Sequence, residues 1–436
     1  VKIAVIGSGI AGLSAAWLLG EEHEVSLYEA LPEPGMGAHG VEVEGVMADV
    51  PLRVFYEGYY AQLLQLYAAV GIETLRSDYS TTFCDEEGET YYRYHNRPLG
   101  PSTLLAFVGP RALAGRSRRI NRDLLRYYRE APRDFAAGVA QETIDDYLRR
   151  SGYSTDFVER FLLPAYAGIG TCTYERVRSY PAEVLNEYMS QGFFFTGVLT
   201  AAKGTPDVVA RLSSRVADER YGQPVSSVEV GPEGVEVWAR GGGQERYDHV
   251  VIATQANQAL RFLSPSPEEE AFLRAFNYEE SEVVMHRDPR LMPKRRSDWG
   301  PVNFMVSTGR SRPMATIWTN AVQPRLRDQP DLFQTWNPTL TPAPETVISR
   351  ALVERPAVDD QTLRALADLE DMHAQPQRRL WFCGSYAARG IPLLESGVRS
   401  AIAVAERLGV TPPWSAPPAI RAGLAAVESG HEQETR

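Results

Sequence analysis

The chain has 436 residues, with 45 basic against 56 acidic side chains and a formal charge of −11; it is long enough for two or three domains sharing buried core, and the charge balance excludes a global pull toward nucleic acid. Three cysteines, Cys84, Cys172 and Cys383, are too few and too scattered for a disulfide framework or a metal site, and suit a reducing, cytoplasmic compartment. No window approaches the roughly 18 uninterrupted apolar residues of a transmembrane span, and the apolar start at Val1 reads as a strand without a signal-peptide pattern.

The first unit is the most informative. Ile3 to Ile6 is an apolar strand running into Gly7-Ser8-Gly9-Ile10-Ala11-Gly12, followed by an Ala- and Leu-rich helix and a second strand ending at Glu29. Gly7 permits the tight turn, Gly9 lets backbone approach a pyrophosphate, and Gly12 lets the helix pack on the sheet. The helix start aims free N–H groups at the phosphates. Glu29, 22 residues after Gly7, is placed to accept both hydroxyls of an adenosine ribose and to repel a further phosphate there, which disfavours NADP.

Later segments repeat the nucleotide-binding character. Residues 100–199 read as largely helical: Thr143-x-x-Asp146 resembles a capping box, Gly152 a helix stop, and Asp156 to Leu163 a helix cut by Pro164. Gly204 opens a turn and short helix, then come Val225 and a buried strand from Asp248 to Ala253 and Thr254. Val302 to Val306 and Ala315 to Trp318 read as strands of a second sheet. Arg379 to Ser385 is another strand into a glycine, with a helix from Leu393 to Leu408. This gives a nucleotide domain from 1–50, 200–260 and 370–412, a mixed-sheet substrate domain from 51–99 and 261–369, a helical insert at 100–199 and a tail at 413–436. Arg111, Arg116, Arg118, Arg119, Arg122, Arg126 and Arg129 form the densest basic stretch, either a solvated helix face or a peripheral membrane or acyl-carrier contact.

On these residues the chain resembles the flavin-containing amine oxidase and desaturase superfamily, and more closely its bacterial branch of FAD-binding oxidoreductases, some encoded beside cyclopropane-fatty-acid-synthase-like genes. Further matches are Asp49 with Val54 and Phe55, Leu162-Leu163-Pro164-Ala165, His286-Arg287-Asp288, Trp318-x-Asn320, Trp336-Asn337-Pro338, Phe382-Cys383-Gly384-x-Tyr386 and Ser396-Gly397. The resemblance implies an α/β, glutathione-reductase-like Rossmann domain binding FAD. Gly7 to Gly12 would hold its pyrophosphate, Glu29 its ribose and Val225 its adenine, with Ala30 also among the cofactor-binding residues. Gly35, Met36 and Gly37 would lie along the cofactor, with Ala253 and Thr254 at its border and Gly384 and Ser385 on the ribityl chain. The helix start at Leu393 and Leu394 would face the flavin pyrimidine carbonyl, stabilising the charge of the reduced ring. The chain departs from the pattern at Met36 to Gly40, where one paired glycine and a hydroxyl are lost, and at Pro51, where relatives carry glycine.

Catalytic candidates are His39, as a donor or base near the flavin against a loop histidine bonded to backbone, and Tyr386 and Trp336, as aromatic walls against core packing. Lys294 lies in a basic segment and reads as surface, Cys383 as a buried apolar residue and His286 as structural. The resemblance implies hydride transfer from an apolar, fatty-acyl or secondary-metabolite substrate to flavin N5, with reoxidation by O2. The alternatives are an amine oxidase acting on a C–N bond, a flavin-dependent isomerase or cyclase without net redox, and a non-enzymatic FAD-binding protein, each as a monomer or homodimer. The substrate is expected between the helical insert and the second sheet.

Overall fold

A parallel sheet of five strands organises the fold. Its order is Asp218–Arg220, Glu24–Tyr28, Lys2–Ile6, His249–Ile252, Leu380–Phe382, and every neighbouring pair is parallel. The computed structural model describes residues 1–99, 102–107, 114–138, 142–192, 197–241, 243–307 and 309–414; Arg111 and the tail past 414 lie outside these. Strands covered on both faces should be apolar throughout, and Ile3, Ala4, Val5, Val250, Val251 and Ile252 are fully buried. Their alternation divides two cores. Ile3, Val5, Leu27 and Val251 face the helices Ile10–Leu19 and Leu394–Arg407, while Ala4, Ile6, Val250 and Ile252 face an antiparallel sheet of Val225–Gly231, Gly234–Ala239 and Gly243–Tyr247.

A second sheet has eight strands, ordered Val347–Pro356, Tyr278–His286, Phe333–Trp336, Met314–Trp318, Val302–Met305, Thr81–Cys84, Thr90–Leu99, Ser102–Phe107. The apolar runs at 302–306 and 315–318 are thus adjacent strands, paired Val302 to Ile317 and Phe304 to Ala315. Ser102–Phe107 is a strand, although the sequence around it reads as the beginning of a helical region; pairing with Thr90–Leu99 extends the sheet edge.

Helices fill 115–190. Gly115–Ala136 buries Ile120, Leu124, Tyr127 and Ala131 along one stripe. On its other face Arg116 and Arg119 pair with Asp156, Arg126 pairs with Glu130, and Arg118 and Arg129 are exposed, the pattern of a solvated face. Thr143 caps the next helix by accepting the Asp146 N–H at 3.2 Å, and Gly152 takes the positive φ of 66° that ends it. The expected break at Pro164 does not occur. Helix Thr155–Phe157 passes through a π-turn at Val158–Leu162 and continues as Leu163–Gly170. Widening the hydrogen-bond register just ahead of Pro164 accommodates its missing donor, so the chain stays helical.

Candidate active site

The glycine loop lies at the C-terminal edge of the parallel sheet. The Gly7 N–H donates to the Tyr28 carbonyl at 2.8 Å, and its φ of +105° is one that side chains rarely adopt. A β-carbon on Gly7 would press on Ala253 and the Thr254 nitrogen at 3.0 Å, while one on Gly12 would collide with the Gly7 carbonyl. A β-carbon on Gly9 meets nothing within 4 Å. Gly7 and Gly12 therefore close the turn, and Gly9 presents an open backbone at the start of helix Ile10–Leu19, where an anion is stabilised.

Glu29 laces the neighbouring loops to this turn. Its Oε2 accepts the Ser8 N–H at 3.0 Å and the Ser8 hydroxyl at 2.6 Å, and its Oε1 accepts the Leu31 N–H at 3.0 Å. Ser8 Oγ in turn accepts the Gly35 N–H at 2.7 Å, and the Met36 N–H reaches the Ser8 carbonyl at 3.1 Å. Gly37 sits 3.8 Å from the Thr205 methyl by its would-be β-carbon, and Ala30 is exposed beside Glu29. The Gln223 N–H donates to the Glu29 carbonyl at 3.0 Å, which brings the strand beginning at Val225 alongside.

The third contribution comes from 384–394. The Gly384 N–H donates to Ser400 Oγ at 2.9 Å, and Ser385 is half-buried next to it. Leu393 is the extended cap of helix Leu394–Arg407, which packs on Ile10–Leu19 with Gly397 against Ile10. Two helix N-termini, an open glycine backbone and a capped acidic residue thus meet along one sheet edge, the donor set that a dinucleotide carrying a flavin fits.

The catalytic candidates are placed apart. His39 is exposed on the turn after Gly37. Tyr386 is 3% exposed, packed against Phe272 and Phe276 at centroid distances of 6.0 and 4.9 Å, and its hydroxyl has no hydrogen-bond partner among the described residues. Trp336 is half-buried at the junction of the main core and a smaller cluster around Val283 and Leu326. Cys383 is fully buried, which pushes its thiol up to about 12. His286 is buried with Nδ1 accepting the Asp288 N–H at 3.1 Å, so Nε2 carries the proton to Thr335 Oγ1 at 2.7 Å; burial pulls it down to about 4. Lys294 pairs with Glu89 at the surface, Lys2 pairs with Glu245, and Lys203 is exposed, so none of the three lysines reaches the interior.

Other interior groups are not visible from sequence spacing. Asp49 Oδ1 accepts the Thr205 N–H at 3.0 Å, and its Oδ2 accepts Gln323 at 3.1 Å and Arg325 at 2.7 Å. Its carbonyl accepts Gln334 Nε2 at 3.0 Å, and Gln334 Oε1 takes the Leu52 N–H at 2.7 Å, clamping the segment that contains Pro51. Arg53 ties that segment to the Met36 carbonyl and to the Pro51 carbonyl at 3.1 Å. Tyr56, Tyr59, Tyr60 and Tyr188 interlock at centroid distances of 4.8 to 5.5 Å where they touch edge to face. The Ile391 N–H donates to the Tyr59 hydroxyl at 2.9 Å, fixing this wall to the approach to Leu393. Burial raises these phenols, so they stay neutral at ordinary pH.

Glu395, in the first turn of helix Leu394–Arg407, accepts the Gln62 N–H at 3.1 Å and the Leu63 N–H at 2.9 Å and so caps helix Ala61–Ala69 from another element. Burial raises it to about 7, and the two N–H bonds oppose that rise. The folded chain then holds a proton that the unfolded chain releases near its ordinary 4.5, so this contribution to stability is full below pH 4.5 and is lost as pH rises toward 7. Relative to Glu395→Gln, the wild type is expected to lose on the order of 3 kcal/mol between pH 4.5 and 8. Thermal melts of both proteins across that range check this; parallel curves contradict it.

The model of the flavin containing amine oxidoreductase family matches residues 10–409. The chain belongs to this family. Its cofactor is FAD, and its class is FAD-dependent oxidoreductase. Zeta-carotene desaturase of Zea mays is 39% identical over 93 residues, covering 20% of this chain and only 16% of that protein. Among solved structures, a CLA-producing fatty acid isomerase from P. acnes aligns with a TM-score of 0.66 at 13% identity, over 93% of this chain and 98% of its own. Putrescine oxidase bound to putrescine aligns with a TM-score of 0.65 at 14% identity, over 94% and 99%. These structures share the mixed α/β fold of this family member. No helix of the described residues is long and apolar enough to cross a membrane. For this flavoprotein, Glu29→Ala is expected to weaken FAD binding by about 1.5 to 3 kcal/mol, because the carboxylate that laces Ser8 and Leu31 to the glycine loop is lost. Titration of cofactor-stripped protein checks it, and unchanged affinity contradicts it.

Proposed function

We propose that this oxidoreductase removes hydride from an apolar, fatty-acyl or secondary-metabolite type of substrate, held between the helices of 115–190 and the eight-stranded sheet. The supporting observation is the wall of neutral tyrosines, Tyr56, Tyr59, Tyr60 and Tyr188, bonded through Tyr59 to the segment entering helix Leu394–Arg407. The glycine loop with Ser8 and Gly9, Glu29, Met36, Ala253, Thr254, Gly384 and Leu394 would hold FAD, in a domain drawn from 1–50, 200–260 and 370–412. Bound FAD supplies the hydride acceptor at N5 and is returned to its oxidised form by O2. The chain itself orients the substrate: the tyrosine wall excludes water, Trp336 offers an aromatic face, and the N-terminus of helix Leu394–Arg407 stabilises negative charge next to it. The absence of any lysine from the interior favours this reading over an amine oxidase acting on a C–N bond.

Anaerobic mixing of the holoenzyme with unsaturated fatty acids, polyenes and amines tests the proposal. Bleaching of the flavin by an apolar substrate, with peroxide formed on admitting air, is expected. Turnover with no net oxidant consumed would replace it with an isomerase or cyclase, and bleaching by amines alone with an amine oxidase. FAD that no substrate class reduces or turns over would leave a non-enzymatic FAD-binding protein.

A further inference from the structure

Two arginines lack an ion-pair partner of their own among the described residues. Arg355 is the penultimate residue of the strand Val347–Pro356 and stands directly opposite Glu279 on Tyr278–His286, a register in which an ion pair is expected. Glu279 is engaged elsewhere: Oε2 accepts the Thr173 N–H at 3.0 Å, Oε1 takes Arg176 Nε at 3.2 Å, and Arg312 stands 3.7 Å away. The bond found for Arg355 among the described residues runs from Nη1 to the Ile169 carbonyl at 2.8 Å, on the helix that passes through Pro164. Its surroundings are Tyr60, Tyr180, Cys172 and Tyr188, none of them an anion at ordinary pH, and burial pulls the guanidinium below its usual value. Arg53 is depressed by the same cause and feels Arg355 as a like charge. The carboxylate nearest to it, Asp49, is already held by Arg325, Gln323 and Thr205. Burial desolvates both arginines, yet both keep part of their surface accessible.

An uncompensated guanidinium in such a place is strongly unfavourable unless an anion comes to it. The two face different partners. Arg53 bonds the Met36 loop, on the cofactor side, whereas Arg355 bonds the helical insert, on the substrate side. With Nη1 on Ile169, the Nε and Nη2 edge of Arg355 is left, and one guanidinium edge offers two parallel N–H bonds that match a carboxylate.

We propose that the substrate of this enzyme is an anion and that Arg355 binds its carboxylate, with the body of the molecule lying along Tyr60, Tyr180 and Tyr188. Arg53 adds to the positive field. This rests on the substrate location proposed above, and deepens it: the substrate is a free acid, not an ester, an amide or a neutral polyene.

The test is titration of the FAD-loaded enzyme with oleate and with cinnamate, each against its amide, read by perturbation of the flavin absorption and by protection against thermal unfolding. The acids are expected to bind roughly tenfold or more tighter than the amides. Arg355→Gln should abolish that preference while retaining FAD stoichiometry, and Arg355→Lys should keep part of it, since a point charge replaces the fork. Equal response to acids and amides, or no response to either, overturns the proposal; so does an unaltered preference in Arg355→Gln. If Arg355→Gln fails to fold, the comparison of wild type with Arg355→Lys decides the matter by the same preference. A preference for acids in protein that never reduces its flavin would support the anion site while overturning the proposed hydride removal, so the two fail separately.

Discussion

Gly12→Ala is expected to yield protein that binds FAD at least about tenfold more weakly and is destabilised by about 1 to 3 kcal/mol or more, because its β-carbon enters the Gly7 carbonyl. Neither partner can move away: Gly7 is held by Tyr28 and abuts Ala253, and the helix is pinned on its other side where Gly397 meets Ile10. Gly9→Ala supplies the contrast. Its β-carbon faces open space, so cofactor-free protein should unfold within roughly 0.5 kcal/mol of wild type, while FAD affinity falls if the pyrophosphate takes the proposed seat on that open backbone. Denaturant unfolding of stripped protein, beside FAD titration, separates the two. If both variants destabilised the stripped protein equally, the different roles of the two glycines would be wrong.

Asp49→Ala should cost about 3 to 5 kcal/mol. The carboxylate is 8% and Arg325 17% exposed, so removing it leaves a buried guanidinium alone. It also frees the Thr205 N–H at the start of helix Thr205–Leu212 and the side chain of Gln323. Adding Arg325→Met to Asp49→Ala should restore part of the loss, since the unpaired charge is then gone. Urea unfolding of the two variants checks both statements. A loss below about 1 kcal/mol for Asp49→Ala would show that solvent reaches the pair.

What was legible in the sequence follows from what is local. The strand, glycine loop, helix and acidic strand end are set by period and by φ requirements within 29 residues, and the structure forms each of them: Lys2–Ile6, Ile10–Leu19, Glu24–Tyr28. The helix read from Leu393 to Leu408 spans Leu394–Arg407, and the second-sheet strands shift by one residue at most. The π-turn before Pro164 was not legible, because a proline signals a lost donor and not how the chain absorbs it. Asp49, Arg53 and Arg355 carry no periodic signal either. Their roles arise from partners 156 to 285 positions apart for Asp49, and, for Arg355, from a cross-strand glutamate engaged by other arginines. The exposure of His39 and the packing of Tyr386 are of the same kind, since loop position alone does not fix which way a ring turns.

The cofactor is the centre of the account, and its identity can be measured without a substrate. Purified protein should be yellow, and acid release should yield FAD in a ratio of about one per chain, or reach that ratio once stripped protein is given FAD, with no comparable uptake of NADP. Colourless protein that added FAD does not turn yellow would contradict it.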